Sequence, residues 1–324
     1  MNVKSRLSRS LGVAAAALAL SLGALAAPAS ADPDPLVDYR QLAGVGADTT
    51  QDIMNALGTE ITNGSGKVIA SWNATGFSVI KTKPIGCEFA RPDGSGAGIA
   101  ALKDAVGGGT GCVDFARSTR GPVDLSGPDL TFIPFAEDAL SWAKRSDSPL
   151  PDNLTILQLH DIYSCTLTTL NGVPLTPILP LSVPEELRFL TFIGVRTPGP
   201  CVTMGRQIQE NNGWELLGAG DIMPYSAAQY LEQILAIVDD RHGEAVLGDI
   251  EGVAPWTQDY TLNAAFPFVH DVYNVVPTAR LFGPGYVETF VGQASYVCAH
   301  TQMIRDFAFL PISDCGRIDI RGEL

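Results

Sequence analysis

Three stretches place glycine with serine, threonine or aspartate just before a segment with helical spacing. They are residues 44–51 (GVGADTTQ), 91–98 (RPDGSGAG) and 114–121 (DFARSTRG). A helix leaves its first backbone N–H groups unpaired, so each stretch could offer amide donors to a small anion. Asp48 and Gln51 also fit a capping box, which would satisfy such donors without a ligand. These stretches therefore indicate either anion binding or ordinary helix capping.

Motifs for other chemistry are missing from the sequence. There is no complete dinucleotide or Walker fingerprint, no Gly-x-Ser-x-Gly elbow, no CxxC and no HExxH, and the four histidines are far apart. Asp239 and Asp240 beside His242 are the nearest approach to an acid–base group, and a charged helix end explains them more simply. We therefore predict that the protein is not an enzyme and has no cofactor and no metal.

The composition is that of a globular protein with an acidic balance. The 324 residues carry a formal charge of -14, with 46% hydrophobic and 17% charged residues. Such values exclude a disordered or fibrous chain, and Gly 33 with Pro 22 predicts many turns. No basic cluster follows the first ten residues, which argues against nucleic acid as a partner.

The first 31 residues have the three-part pattern of a secretory signal peptide. Lys4, Arg6 and Arg9 precede an apolar run at 11–27, and small residues end at Ala31. The alternative, a membrane anchor, is disfavoured because the run is short and rich in alanine. We predict cleavage near Ala31 and a secreted product without a transmembrane segment. The alanine-rich leader and the excess of Arg over Lys predict a bacterial source. No cysteine is placed for lipid attachment near the new N-terminus.

Six cysteines in an exported chain predict disulfide bonds. Six cysteines allow 15 pairings, and the sequential one closes a short stretch within each region. The predicted pairs are therefore Cys87 with Cys112, Cys165 with Cys201, and Cys298 with Cys315.

Short β-type runs alternate with helical ones, which predicts an α/β protein. We predict strands at 67–72, 77–80 and 129–134, an extended apolar segment at 265–276, and a turn between lobes at 146–152. Residues 137–144 fit a helix or a strand. Helical spacing is found at 98–105, 154–163, 184–195, 227–238 and 297–309.

Taken in order, the stretches resemble the phosphate-type solute-binding proteins of ABC importers, in particular a secreted branch that contains cysteines. The matching stretches are GVGADTTQDIMNAL (44–57), RPDGSGAGIAAL (91–102), CVDFARSTRGP (112–122), DLTFIPFAEDALSWA (129–143), LPDNLTILQLHDIY (150–163), IMPYSAAQYL (222–231) and AFPFVHDVYNVV (265–276). The resemblance covers nearly all of the mature chain.

The resemblance implies a type II periplasmic-binding-protein-like fold of two α/β lobes, each a mixed sheet flanked by helices, with two crossing strands as a hinge. Lobe 1 would comprise residues 32–140 and 265–324, and lobe 2 residues 141–264. A ligand would be held in the cleft as the lobes close. The implied ligand-binding residues are Ala47, Asp48, Thr49, Ser95, Gly96, Ala97, Gly98, Ser118, Thr119 and Arg120.

The chain departs from the family pattern at two places. Thr119 stands where the family has an aspartate that accepts the phosphate proton, and Asp48 could substitute for that aspartate. Arg117 or Arg120 could donate to an anion. A surface ion pair explains Arg120 equally well. In lobe 2 the family's Gly-Ser-Gly-Thr-Arg is replaced by SVPEE at residues 182–186. Proline lacks an N–H and the two glutamates repel anions, so we predict weak phosphate binding. Arg188 is expected to point to another side of its helix.

The predicted function is a secreted substrate-binding protein for a small oxyanion or polar solute, with an ABC permease as the implied partner and a monomer as the expected state. The alternative is a secreted binding or scaffold protein that keeps the fold without transport. Residues 210–213 (ENNG) are further candidates for cleft contacts in lobe 2, or form a simple Asn-Asn-Gly turn.

Overall fold

The computed structural model describes residues 32–127, 129–180, 186–204 and 209–322. The predicted signal peptide at 1–31 and residues 182–185 of the altered lobe 2 segment lie outside these ranges. The helices are α1 (Gln51–Glu60), α2 (Ser95–Gly107), α3 (Ile156–Tyr163), α4 (Leu187–Phe192), α5 (Ala227–Ile234), α6 (Tyr286–Phe290), α7 (Tyr296–Ala299) and α8 (Thr301–Asp306), with a 3-10 turn at Thr278–Arg280.

The strands vary in length from two residues to sixteen. They are β1 (Leu42–Gly46), β2 (Thr62–Asn63), β3 (Gly66–Lys67), β4 (Ile69–Ser71), β5 (Val79–Lys81), β6 (Glu88–Ala90), β7 (Phe115–Ser118), β8 (Leu130–Arg145), β9 (Asn153–Leu154), β10 (Thr169–Leu170), β11 (Val173–Pro174), β12 (Thr176–Leu179), β13 (Thr203–Met204), β14 (Asp221–Ser226), β15 (Ala245–Leu247), β16 (Asp249–Ile250), β17 (Val269–Pro277), β18 (Leu310–Pro311) and β19 (Arg321–Gly322).

One large mixed sheet organises the protein. Its strand order is β13-β12-β14-β8-β17-β7-β1-β4, and β15, β18 and β19 also pair with β8. β1 is parallel to β4 and β7, whereas β17 is antiparallel to β7 and β8. The predicted α/β fold with helices against a mixed sheet is confirmed.

Strand β8 joins the two halves of the sheet. Its first part pairs with β17 and its last residues pair with β14 and β15. Nearly all of its residues are buried on both faces, so the strand continues through 137–144, where the sequence also allowed a helix. The turn at 146–152 is therefore not the connection between halves, because β8 has already crossed. We use lobe 1 and lobe 2 for the two halves, with the predicted bounds.

The two faces of the lobe 1 sheet pack against different helices. Leu42 of β1 packs with Ile53 and Leu57 of α1, whereas its neighbour Ala43 packs with Leu102 of α2. This alternation follows from the period of two in a strand. It brings the N-termini of α1 and α2 to the same edge of the sheet, beyond the carboxyl ends of β1 and β7.

The predicted disulfides are confirmed in all three pairs, Cys87–Cys112, Cys165–Cys201 and Cys298–Cys315. Several helices are shorter than predicted: α3 begins at Ile156, α4 ends at Phe192, α5 ends at Ile234, and the segment at 297–309 is divided into α7 and α8 at His300. No helix in the described part of the chain is long and apolar enough to cross a membrane.

Candidate functional site

The loop between β1 and α1 carries Ala47, Asp48 and Thr49, all of them buried. The Ala47 N–H donates to the Arg117 carbonyl at 3.1 Å, so this amide is already used within the fold. Within the described residues, Asp48 Oδ2 and Thr49 Oγ1 have no hydrogen-bond partner. The loop therefore offers side-chain oxygens to a ligand, and the Ala47 amide serves the fold.

The predicted capping box at the start of α1 does not form. The helix begins at Gln51 with Thr50 as its N-cap, and no side chain caps it. The Gln51 side chain instead accepts a hydrogen bond from the Ala74 N–H at 2.9 Å, so it fixes a neighbouring loop. Tertiary contact has replaced the local capping interaction.

Arg117 supports the β1–α1 loop from behind. Its guanidinium donates to the Ala47 carbonyl at 3.0 Å, the Gly46 carbonyl at 3.2 Å and the Ser71 hydroxyl at 2.8 Å. Burial lowers the pKa of Arg117 to about 10, which still leaves it charged at neutral pH. The sequence suggested Arg117 as an anion donor, but its N–H groups already donate to the Gly46 and Ala47 carbonyls and to the Ser71 hydroxyl.

The start of α2 lies against the third predicted loop. Ser95 Oγ accepts from the Thr119 N–H at 3.1 Å and lies 3.2 Å from the Thr119 hydroxyl. Gly96 and Ala97 follow in the first turn of α2 and are half-buried. At Gly98 a Cβ atom would lie only 2.4 Å from the Gly46 Cα, so glycine is required here by the close approach of α2 to β1.

Ser118 and Arg120 form a local turn after β7. The Ser118 hydroxyl donates to the Arg120 carbonyl at 2.7 Å and accepts from the Arg120 N–H at 3.2 Å. The Arg120 side chain is buried. β7 pairs in parallel with β1, so the loops after both strands meet at one edge of the sheet. The structure thus brings Asp48, Ser95 and Thr119 to this edge.

Lobe 2 covers this edge with side chains that sequence reasoning missed. Gln209 Nε2 donates to Asp93 Oδ1 at 3.1 Å, and Arg241 Nη2 lies 2.8 Å from Asp52 Oδ2. Asp93 forms an isolated parallel bridge with Gly46, which places it beside the end of β1. Asp93 lies within a predicted loop, but no sequence signal pointed to Arg241. These contacts join the two halves of the structure.

Several carboxyl groups are buried where the two halves of the structure meet. Burial, reinforced by Asp93 and Glu186, raises the pKa of Asp48 to about 7. Burial also raises the pKa of Glu210 well above its usual value, and the neighbouring Glu186 adds to the effect. Glu186 is 0% exposed and stands just before α4 without capping it through its side chain. The electrostatics of the cleft thus oppose an added negative charge.

Other lobe 2 candidates divide between the cleft and the fold. The Trp214 N–H donates to Asn212 Oδ1 at 3.0 Å, and the Asn211 side chain donates to Gln229 Oε1 at 3.2 Å, so these two asparagines serve the fold, as the turn interpretation predicts. Arg188, expected on another side of its helix, instead lies within hydrogen-bonding reach of Tyr273 in lobe 1. Its helix therefore faces the lobe interface.

No metal centre is built from the described side chains. No group of three or more His, Cys, Asp or Glu residues within 32–127, 129–180, 186–204 and 209–322 is arranged to hold a metal ion. His242 Nδ1 lies 2.5 Å from Asp240 Oδ1, in a loop beyond the end of α5. This pair belongs to a turn in which Asp240 also accepts from the His242 N–H, so the explanation by a helix end was wrong.

Comparison with known proteins identifies the fold. No protein-family profile matches the sequence. No curated protein matches it either. One similar solved structure comes from Clostridium perfringens and is described as a phosphate ABC transporter substrate-binding protein with bound phosphate. It superposes with a TM-score of 0.57 at 14% identity, and the match covers 85% of this chain and 100% of that chain.

A second solved structure is an ABC-type phosphate transport receptor from Vibrio cholerae. It superposes with a TM-score of 0.53 at 15% identity, covering 84% of this chain and 100% of that chain. These neighbours are binding proteins, not enzymes, and the resemblance predicted from the sequence is confirmed at the level of the fold. The chain therefore has the fold of the phosphate-type solute-binding proteins of ABC transporters.

Proposed function

We propose that the protein is a secreted substrate-binding protein that holds a small polar solute between its lobes. The observation that carries this proposal is the edge of lobe 1 formed by Asp48, Ser95 and Thr119, which Gln209 and Arg241 of lobe 2 approach through hydrogen bonds to neighbouring carboxylates. Polar groups from two halves that converge on one cleft are typical of a solute site. An ABC permease is the proposed partner, and we expect a monomer.

Phosphate is a poor match for this cleft. The Ala47 amide and the Arg117 guanidinium are used by the fold, while Asp48, Asp93 and Glu210 present acceptors. A hydrogen bond to a charged group contributes roughly 1.5 to 3 kcal/mol, so losing two or three donors removes much of the roughly 8 kcal/mol of micromolar binding. We therefore expect weak phosphate affinity. The alternative of a scaffold without transport gains no support from the structure.

The test is thermal unfolding of the mature protein against a panel of oxyanions, amino acids, sugars and amines. A solute at 100 times its dissociation constant stabilises the folded state by about 2.7 kcal/mol, which gives a clear rise in Tm. We expect one class of solute to raise the Tm, and phosphate to do so only at high concentration.

A matched pair of variants locates the binding. Thr119→Val removes the hydroxyl beside Ser95, whereas Thr110→Val removes an exposed hydroxyl after α2. The solute-dependent rise in Tm should shrink in the first and persist in the second. No change in Tm with any solute of the panel, or an equal solute-dependent rise in Tm in both variants, would contradict solute binding in this cleft.

A further inference from the structure

Asp48 is a buried carboxyl with an unused oxygen. Its side chain is 2% exposed, and Oδ2 has no hydrogen-bond partner among the described residues. Its strongest charged neighbours are Asp93 from its own lobe and Glu186 from the other, so the carboxyl faces other acids. Burying an acceptor without a donor is costly, so this oxygen is placed for a group that the protein does not supply.

Glu210 approaches the same place from lobe 2. It is 8% exposed and hydrogen-bonds to Glu186, an arrangement in which the two carboxyls must share a proton. Asp48 is among the charges that act on Glu210. Gln209, the residue before Glu210, donates to Asp93, and Asp93 bridges Gly46 two residues before Asp48, so carboxyl groups from both lobes converge at this edge of the sheet.

The cations that act on Asp48 are already committed elsewhere. Arg241 pairs with Asp52 at 2.8 Å and donates to Gln229 at 2.9 Å. Arg117 is committed to the carbonyls of the β1–α1 loop. Neither guanidinium is in place to pair with Asp48 Oδ2.

The carboxyls are not grouped for a metal ion within the described ranges. A ligand with several N–H donors spread over its own atoms suits them better, because an ammonium has three donors and a guanidinium five. Resting on the solute-binding function above, we propose that the cleft binds a small organic cation, through an ammonium or guanidinium group held between Asp48 of lobe 1 and Glu210 of lobe 2.

Binding then depends on pH. The charged groups that surround Asp48 and Glu210 are Asp93 before α2, Glu186 before α4, Asp138 on β8, Arg117 on β7, Arg188 on α4, which acts on Glu210, and Arg241 after α5. Since burial raises the pKa of Asp48 to about 7, a cation must displace its proton at and below neutral pH. Affinity should therefore rise with pH and be lost as the pH falls through the pKa.

The test is titration calorimetry with 1,4-diaminobutane, agmatine and L-arginine, and with inorganic phosphate and glucose as comparators. At slightly alkaline pH at least one cation should bind, and Asp48→Asn and Glu210→Gln should each weaken it roughly ten- to a hundred-fold. Asp104→Asn, an exposed acid on α2, serves as the control and should leave the affinity unchanged.

Proton release supplies a second readout that needs no variant. In buffers of different ionisation enthalpy, the heat of cation binding to the wild-type protein should differ, because a proton leaves as the cation enters. Binding of phosphate or glucose without any of the cations would overturn the cation proposal and leave solute binding intact. No heat with any compound, together with no change in Tm across the wider panel, would overturn both. Cation binding that is equal in Asp48→Asn and wild type would also refute this site.

Discussion

The pair between Arg241 and Asp52 gives the sharpest test of how the lobes are held together. Asp52 lies on α1 with its side chain 1% exposed, and Arg241 of lobe 2 reaches it with its own side chain 25% exposed. Replacing Arg241 with glutamine leaves the Asp52 carboxylate buried next to Glu232, whose pKa burial and Asp52 raise well above the usual value. We expect this variant to open the cleft.

The free-energy cost of removing Arg241 follows from the burial of the ion pair. Breaking a buried ion pair by removing one partner costs about 3 to 5 kcal/mol, and the partial exposure of Arg241 reduces this to about 2 to 3 kcal/mol. The pair exists only when the lobes are together, so the cost falls on the closed arrangement. Since 1.4 kcal/mol is a factor of ten, the ratio of closed to open protein should fall roughly 30- to 150-fold.

Small-angle X-ray scattering measures the result directly. Arg241→Gln should raise the radius of gyration of the ligand-free protein. Arg145→Gln is the matched control, because Arg145 pairs with Asp147 two residues away in an exposed pair that contributes little. An unchanged radius of gyration in Arg241→Gln, combined with a lower Tm, would show that the pair stabilises the whole fold and does not govern closure.

Three further predictions concern stability. Gly98→Ala should lower the free energy of unfolding by about 1 to 3 kcal/mol in urea titrations, since a Cβ would lie 2.4 Å from the Gly46 Cα. Gly107→Ala, also in α2 but with open space around it, should be neutral or slightly stabilising. Equal effects of the two variants would contradict the packing argument. Arg117→Met should lower the free energy of unfolding by about 3 kcal/mol, because it leaves the loop carbonyls without donors. A decrease below about 1 kcal/mol would refute the idea that Arg117 supports the β1–α1 loop. The folded-state pKa of Asp48 is raised to about 7, so folding takes up a proton at mildly acid pH. The stabilisation from this group is therefore present at low pH and is lost as the pH rises toward about 7, a change of about 4 kcal/mol in the free energy of unfolding. Asp48→Asn should remove this pH dependence of the free energy of unfolding, as measured by urea titrations repeated across the range.

Local patterns predicted much of the fold. The alternation of β-type with helical runs and the short cysteine spacings were enough to predict the α/β class and the disulfide pairs. Residues 137–144 remained open between helix and strand because a strand buried on both faces has no polar alternation to reveal it. The capping box at Asp48 failed because Gln51 found a tertiary partner in the Ala74 N–H.

The candidate site was predicted only in part. The sequence located the loops at Asp48, Ser95 and Thr119, since glycine and hydroxyl residues before helices are a local signal. The contact of Arg241 with Asp52 joins residues 189 positions apart and depends on how the lobes pack, which no local pattern encodes. For the same reason Arg188 was placed on the wrong side, because its partner Tyr273 belongs to the other lobe.

The placement of the disulfides has a consequence for motion and for maturation. Each of the three bonds closes a loop within one predicted lobe, and none of the six cysteines ties one lobe to the other. Each bond can therefore form and stabilise one half of the fold independently of the other half, while no disulfide restrains rotation about β8. A solute-binding protein of the kind proposed above would thereby gain resistance to unfolding and keep the opening and closing that capture and release of a solute require.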